Sequence, residues 1–165
     1  MIIDINKFLS SDALSLKINE NFVIDDKEFL SRTNLNENIE LKGEIFKLRD
    51  GISFTGAVIY TFEDECARCL KEFENKIENK FQAAIVPEED EESDEVQFVI
   101  KDRTVIMGEA IKQLIYMSMP MKTLCSKDCK GLCPTCGVNF NYEKCQCENT
   151  LTDPRFDKLK DLLKN

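Results

Sequence analysis

Eight cysteines and no histidine constrain this chain more than any other feature of its sequence. Without histidine, the chain can form neither a Ser-His-Asp nor a Cys-His catalytic group, and no imidazole can ligate a metal. Six of the cysteines lie within residues 125–147, and the other two form the pair Cys66-x-x-Cys69. Any metal held by this chain is therefore expected to have thiolate or carboxylate ligands.

The dense cysteines also bear on the compartment. The N-terminus has Asp4 and Lys7 where a signal peptide needs an unbroken apolar run. The longest nearly uncharged stretch, residues 105–121, is interrupted by Glu109 and Lys112 and is not expected to span a bilayer. We therefore expect a cytoplasmic protein without a membrane span. In a reducing cytosol, clustered cysteines are more typical of metal sites than of disulfides.

The cysteine spacing favours four-thiolate metal sites. The stretch Gly-Leu-Cys-Pro-Thr-Cys-Gly around Cys133 and Cys136 is typical of a metal knuckle, in which a tight turn aims backbone N–H groups at the sulfurs. Zinc is the expected metal, as one or two ions, and iron stays open because rubredoxin-like sites use similar knuckles. The predicted ligands are Cys66, Cys69, Cys125, Cys129, Cys133, Cys136, Cys145 and Cys147.

Eight ligands fit two sites, but spacing alone does not fix which cysteines share a metal. The preferred partition makes one local site of Cys133, Cys136, Cys145 and Cys147. Cys66 and Cys69 then meet Cys125 and Cys129, which would tie a hairpin turn to the C-terminal segment. The alternatives are a single metal site with the other cysteines free, and a redox-active dithiol.

Alternating hydrophobicity predicts a β-rich first part. Asp50-Gly51 is a strong two-residue hairpin signal between two runs of alternating apolar residues. A second hairpin follows with Cys66–Cys69 at its turn, and then a short strand at 96–100. Apolar spacing predicts a helix over about 105–118. Asp153-Pro154 is a matched start signal for a terminal helix.

These elements predict an α+β fold with a mainly antiparallel sheet, which could be barrel-like, and one packed helix. A Cys-rich, metal-stapled C-terminal extension and a terminal helix complete it. The predicted division places a β-rich domain in residues 1–121 and a Cys-rich zinc module with the C-terminal helix in residues 122–165. Residues 122–150 contain too few apolar side chains to fold by burial, so metal is the expected reason that they fold.

The net charge of −9 is unevenly distributed. Residues 88–95 carry seven acidic side chains, which predict a solvated loop or, alternatively, a surface for a basic partner. Residues 96–165 hold 11 basic and 8 acidic side chains. Basic residues near the cysteines could contact RNA or another partner, or balance the thiolate charge. They are Arg68, Lys122, Lys127, Lys130 and Lys144.

The order of the motifs along the chain is distinctive. It runs from Cys-x-Arg-Cys-Leu (66–70) through Met-Pro-Met-Lys (119–122), Cys-Lys-Gly-Leu-Cys-Pro-Thr-Cys-Gly-Val-Asn-Phe-Asn (129–141) and Cys-Gln-Cys (145–147) to Asp-Pro-Arg-Phe (153–156). This order resembles the YceD-like family of large ribosomal RNA subunit accumulation proteins. The resemblance implies a role in the synthesis, processing or stability of large-subunit ribosomal RNA, with metal binding and nucleic-acid binding as expected properties.

The resemblance therefore implies a non-enzymatic factor for large-subunit ribosomal RNA accumulation and ribosome assembly. Its expected partner is ribosomal RNA or a ribosomal protein of the large subunit, and no small-molecule substrate is predicted. A structural zinc-binding interaction module and a thiol redox protein, both without a ribosomal RNA role, are the alternatives. A carboxylate-dependent RNA hydrolase is disfavoured because the acids in 88–95 are crowded and no other acidic pair has a diagnostic spacing.

Overall fold

A computed structural model describes residues 1–88, 93 and 95–147 of the chain. Its elements in chain order are β1 (Ile2–Asp4), α1 (Asn6–Leu9), β2 (Ser15–Val23), α2 (Lys27–Thr33), β3 (Asn38–Leu48), β4 (Gly51–Glu65), β5 (Glu72–Val86), β6 (Gln97–Lys101), β7 (Thr104–Ile106) and α3 (Gly108–Ser118). The strands form one seven-stranded sheet in the order β1-β7-β6-β5-β4-β3-β2. All neighbours are antiparallel except β5 and β6. This is the predicted α+β fold with a mainly antiparallel sheet.

The sheet curls into a half-barrel and stays open, because within the described residues β1 pairs only with β7 and β2 only with β3. Both predicted hairpins are present: the β3–β4 turn lies at Asp50-Gly51, and the β4–β5 turn contains Cys66 and Cys69. The two strands of the second hairpin have 15 residues each and project the cysteine turn from one end of the sheet.

Helix α3 packs across β4 and β5. Its buried face includes Ile111 and Ile115, which belong to the main apolar core. Polar contacts fix its last turn: the Tyr60 hydroxyl lies 2.8 Å from the Ser118 hydroxyl, and Asn79 Nδ2 donates to the Leu114 carbonyl at 3.0 Å. The end of α3 is thereby held in place, and the cysteine-rich segment begins only a few residues beyond it.

The helix predicted over about 105–118 begins later in the structure, at Gly108, because Thr104–Ile106 form β7. Asp102 and Arg103 both have positive φ, at 49° and 61°, which is the backbone geometry of a two-residue hairpin turn. Neither residue is glycine or asparagine, so this turn carries no strong sequence signal. The apolar residues after it pair with β6 instead of starting the helix.

Two short helices, α1 and α2, accompany the packed helix α3 and were not predicted. The Asp26 carboxylate caps α2 by accepting from the Phe29 backbone N–H at 3.0 Å. The other carboxylate oxygen of Asp26 accepts from Lys112 Nζ of α3 at 2.7 Å. A seven-residue helix held by a contact with a residue 86 positions away is not visible in a local pattern.

Two of the predicted segments fall largely beyond the described residues. The acidic segment 88–95 is described only at residues 88, 93 and 95, and the terminal helix predicted from Asp153 lies outside them. Among the described helices, none has the length and apolar character required to cross a bilayer.

A close approach of two strands predicts a large stability effect at one glycine. Gly43 and Gly56 face each other in the β3–β4 register, and a Cβ on Gly56 would lie 2.3 Å from the Lys42 carbonyl oxygen. We expect Gly56→Ala to lower the free energy of unfolding by about 2 kcal/mol, because backbone atoms must shift to admit the methyl group. Urea denaturation measures this change.

Gly108→Ala is the matched control for that substitution. A Cβ on Gly108 would meet no atom within 4 Å, and alanine favours the helix that begins there. Its free energy of unfolding should be unchanged or raised by up to about 1 kcal/mol. Equal losses in the two variants would contradict the close-approach explanation.

Candidate metal centres

Four cysteines from two distant parts of the chain meet at the β4–β5 turn. This inner site consists of Cys66, Cys69, Cys125 and Cys129, whose sulfur atoms all lie within 4.8 Å of one another. The Sγ atoms of Cys66 and Cys129 are 3.7 Å apart, and those of Cys69 and Cys125 are 3.5 Å apart. A tetrahedral site with Zn–S bonds of about 2.3 Å has sulfurs about 3.8 Å apart, so the inner site fits one metal ion.

The remaining four cysteines form a second group within the C-terminal segment. This outer site consists of Cys133, Cys136, Cys145 and Cys147, again with all sulfurs within 4.8 Å. Cys145 Sγ lies 3.5 Å from Cys136 Sγ and 3.3 Å from Cys133 Sγ. The spatial grouping is the partition preferred from the sequence, and all eight cysteines are free thiols. Either group could therefore bind a metal ion.

Each site contains one Cys-x-x-Cys turn with the same backbone geometry. The Leu70 N–H donates to the Cys66 carbonyl at 2.9 Å, and the Gly137 N–H donates to the Cys133 carbonyl at 2.9 Å. Leu70 and Gly137 have φ of 55° and 75°, so each turn ends in a left-handed residue. Glycine adopts this conformation freely, whereas leucine does so at a cost. Two different sequences thus form the same turn.

Thr123 fixes the cysteine-rich segment to the end of the β4–β5 hairpin. It is buried, and its hydroxyl donates to Asp64 Oδ2 at 2.7 Å. The Ala67 N–H donates to the Thr123 carbonyl at 2.9 Å. These bonds place the start of the segment beside the cysteine turn, so that Cys125 and Cys129 can reach the inner site.

A small apolar cluster, separate from the main core, surrounds the inner site. Its partly buried members include Phe73, Leu124 and Leu132, and three of the four cysteines are buried within it. Arg68 lies on the knuckle, and its guanidinium donates to the Cys129 carbonyl at 2.7 Å. The structure therefore engages Arg68, a predicted partner contact, in holding the two chain segments together.

The thiols of the inner site have divergent pKa values. Burial raises the pKa of the Cys66 thiol, but hydrogen bonds from backbone N–H groups, led by that of Cys125, outweigh it and lower the pKa to about 6. The pKa of Cys125 is raised to about 12, chiefly by the hydrogen bond with the Cys69 side chain. Near neutral pH the cluster therefore contains a thiolate at Cys66 and a protonated thiol at Cys125. A bound cation would displace the proton of Cys125.

The outer site repeats this pattern. Backbone N–H groups of Cys136 and Thr135 lower the pKa of Cys133 to about 6. The hydrogen bond with the Cys145 side chain raises the pKa of Cys147 to about 12. In both sites, the first cysteine of the knuckle has a lowered pKa, and the hydrogen bond from the Asn141 side chain also lowers the pKa of Cys129 in the inner site. A lowered pKa favours the thiolate, which is the form that ligates a metal.

The four predicted contact lysines lie on the surface of the cysteine-rich segment. All are exposed, and in the part of the chain that the structure describes none of them forms an ion pair. They are Lys122, Lys127, Lys130 and Lys144. The side chain of Tyr142 is 72% exposed two residues before the last of them. This surface offers positive charge and one exposed aromatic ring.

Sequence reasoning missed the polar residues that join the two sites to each other and to the sheet. Thr123, Asp64 and Asn141 carry these contacts, and Thr123 bonds to a residue 59 positions away. No local pattern marks a residue whose partner is that distant. The only available signal is that each lies within a few residues of a cysteine.

The fold and the sites define a class: an α+β protein in which a half-barrel sheet carries a C-terminal segment built on two four-cysteine groups that could bind metal ions. The family model "Large ribosomal RNA subunit accumulation protein YceD" matches residues 54–163, which is two thirds of the chain. The chain therefore belongs to the YceD family. The matched residues include all eight cysteines.

The chain is also similar to individual proteins. An uncharacterized protein of Mycobacterium tuberculosis is 30% identical over 134 residues, covering 76% of this chain and 62% of that protein. The chain thus spans less than two thirds of the length of this relative. A protein of Arabidopsis thaliana named large ribosomal RNA subunit accumulation protein YCED homolog 1, chloroplastic, is 28% identical over 69 residues, covering 42% of this chain and 22% of that protein. No solved structure matches the chain.

Proposed function

We propose that this protein is a non-enzymatic, cytoplasmic factor that supports the accumulation of large-subunit ribosomal RNA by binding that RNA. The observation that carries the proposal is the set of four exposed lysines that form no ion pairs among residues 1–88, 93 and 95–147, on loops that contain the cysteines of the two groups. The family name supports the ribosomal RNA role. The two metal centres serve structure, and the lysines serve binding.

Zinc is the proposed ion in both sites. Four thiolates suit zinc, and such a site leaves no open position for water or substrate, which argues for a structural role. Eight cysteines in two complete ligand sets would hold about two zinc ions per chain. Elemental analysis of protein purified under reducing conditions measures the metal and its stoichiometry, and finding iron would correct its identity.

Ribosomal RNA is the proposed direct partner because lysine ammonium groups bind phosphates and an exposed aromatic ring can stack on an unpaired base. Lys130, Lys144 and Tyr142 lie within 15 residues of one another on the loops around the outer site. A basic ribosomal protein of the large subunit would instead favour an acidic surface. The salt dependence of binding separates these partners, since phosphate contacts give a linear fall of log affinity with log salt.

Depletion of the protein in the cells that encode it tests the role directly. The ratio of large-subunit to small-subunit ribosomal RNA is expected to fall, and re-expression of the wild-type chain should restore it. An unchanged ratio would contradict the proposed role and favour an interaction module without a ribosomal RNA function. Binding of purified protein to large-subunit ribosomal RNA should also weaken with salt, with a log–log slope of about −2 to −3 for three or four contacts.

A further inference from the structure

Asn141 belongs to the outer site by sequence and contacts the inner site in space. It lies between Cys136 and Cys145, on the loop that the outer site closes. Its side-chain Nδ2 donates to Cys129 Sγ of the inner site at 3.3 Å. A loop that one set of ligands anchors thus supplies a hydrogen bond to a ligand of the other set.

The same loop makes further contacts with the chain between the two sites. The Lys130 N–H donates to Asn141 Oδ1 at 2.8 Å, and the Phe140 N–H donates to the Gly131 carbonyl at 2.9 Å. Leu132 and Asn139 form an antiparallel bridge. Asn139 Oδ1 also accepts from Asn141 Nδ2 at 2.8 Å, which fixes the orientation of the amide. Both ends of the Asn141 amide are therefore engaged.

We propose that the two metal sites are energetically coupled through Asn141, so that metal in either site strengthens metal binding in the other. The inference rests on the proposed function, in which both sites bind zinc. Metal in the outer site holds the 137–144 loop, and the loop holds the Asn141 amide against Cys129. Asn141 is a positioning residue: it acts on the inner metal through the sulfur of a ligand.

The physical basis is the hydrogen bond from an N–H group to a metal-bound sulfur. Such a bond orients the ligand and stabilises its thiolate form, and removing groups of this kind typically costs 10- to 100-fold in metal affinity. Without outer metal, the loop is tethered by fewer bonds and the amide loses its fixed position. By linkage, the effect is reciprocal, because each metal must change the affinity of the other by the same factor.

Asn141→Asp tests the positioning role with the smallest change in shape. Aspartate keeps an oxygen to accept from the Lys130 N–H and loses the donor to Cys129 Sγ. Zinc competition against a chromophoric chelator, with full-length protein, should show inner-site affinity reduced by about 10- to 100-fold. Asn141→Ala, which adds no charge, should change it in the same direction. Asn21→Asp adds the same charge on exposed β2 and should leave both affinities unchanged.

A double-mutant cycle tests whether coupling runs through this residue. Cys136→Ser with Cys145→Ser disables the outer site, and the inner site is then measured alone by zinc competition and by the absorption of bound cobalt. Its affinity should fall by about tenfold or more. Asn141→Asp in that background should cost much less than in the intact chain, because the loop has already lost its anchor.

These measurements distinguish a failure of the proposed metal sites from a failure of the proposed coupling. A wild-type chain that binds no zinc would overturn the proposed metal sites. Two bound zinc ions with unchanged inner affinity in both Asn141 variants would overturn the coupling alone, as would an inner site indifferent to the loss of the outer ligands. Equal effects of Asn141→Asp in both backgrounds would overturn the coupling through Asn141. They would show that Asn141 acts on the inner site but does not transmit the effect of metal in the outer site. Far-UV circular dichroism confirms that the sheet is retained in every variant compared.

Discussion

Removing the bound metal is expected to release residues 122–147 from the sheet while the sheet stays folded. Among the described residues, the buried apolar cluster that includes this segment is the small one around the inner site, with Leu124 and Leu132. With the proposed zinc in both sites, the order of the segment depends on its sulfur ligands, because metal binding supplies the folding free energy of small metal-dependent modules. The main core comes from the strands, the helices and the segments joining them, and contains none of the eight cysteines.

Hydrogen exchange measured by mass spectrometry checks this prediction. After dialysis of the full chain against a chelator under reducing conditions, amides in residues 122–147 should exchange orders of magnitude faster. Peptides from β3 and β4 should exchange at the rate of the metal-loaded protein. Restoring zinc should restore protection. A segment that stays protected in protein shown to be metal-free would contradict the structural role of the metal.

Loss of the two sites should have different consequences. Cys66→Ser with Cys125→Ser removes the site that joins the hairpin turn to the segment, so at saturating zinc exchange should rise most in residues 122–132, while the outer site keeps its ion. Cys136→Ser with Cys145→Ser, at saturating zinc, should free only the chain beyond Cys133. Bound zinc should fall from about two to about one per chain in each case. Thr135→Ser, between two ligands of the outer site, is the control and should retain both ions.

The hairpins could be predicted because their signals are local. Asp50-Gly51 defines the β3–β4 turn, and alternation on both sides of it fixes which side chains enter the core. Phe54, Val58 and Phe62 share one face of β4 and are buried, as that alternation requires. The second hairpin followed from the same period. In both hairpins, pairing and pattern are set by residues close together in the chain.

The sequence also favours the observed grouping of the cysteines, because one of the two groups is local in the chain. Cys133 and Cys136 share one turn, and Cys145-x-Cys147 follows closely enough to complete a local set. The pairs Cys66/Cys69 and Cys125/Cys129 are then left to form the second group, although 56 residues separate Cys69 from Cys125. The sequence therefore predicts the long-range inner site only once the local outer site has been assigned.

Contacts without a local period could not be predicted. The parallel pairing of β5 with β6 and the pairing of β1 with β7 join segments whose patterns suit several neighbours. The turn at Asp102-Arg103 has positive φ at both residues, but this pair is not a standard sequence signal for a two-residue hairpin turn. Asn141 was recognised only as the end of a motif, because its partner Cys129 is identified by the folded loop and not by spacing. Tertiary packing decides each of these cases.

The two sites divide the work of the segment. The inner site is mostly buried and fastens the segment to the hairpin turn, whereas Cys136 of the outer site is exposed and that site shapes the loops beyond. Lys127 lies between two cysteines of the inner site, Lys130 lies between Cys129 of the inner site and Cys133 of the outer site, and Lys144 directly precedes a cysteine of the outer site. The positions of these lysines follow from the two cysteine groups, and within the described residues their side chains form no ion pairs, so their replacement should change binding without unfolding the segment.

Reversing the charge of these lysines is expected to abolish most RNA binding. The triple variant Lys127→Glu, Lys130→Glu and Lys144→Glu removes three proposed phosphate contacts and places carboxylates beside the backbone. Affinity for large-subunit ribosomal RNA near 0.1 M salt should fall by on the order of hundredfold or more, and the log–log salt slope should become shallower by about 2. Zinc content and thermal stability should stay close to wild type, because the lysines are exposed and form no ion pairs in the described structure.

A matched variant separates local contact from overall charge. Lys17→Glu, Lys76→Glu and Lys80→Glu make the same change in net charge on exposed positions of β2 and β5, away from the cysteine turn. If the cysteine-rich segment is the RNA surface, this variant should lose several-fold affinity at most, through long-range repulsion that salt screens. Equal losses in the two variants would show that binding follows net charge alone. Undiminished, salt-insensitive RNA binding by the first variant would contradict the proposal that these lysines contact the RNA, because phosphate contacts cannot survive reversal of the charges that make them.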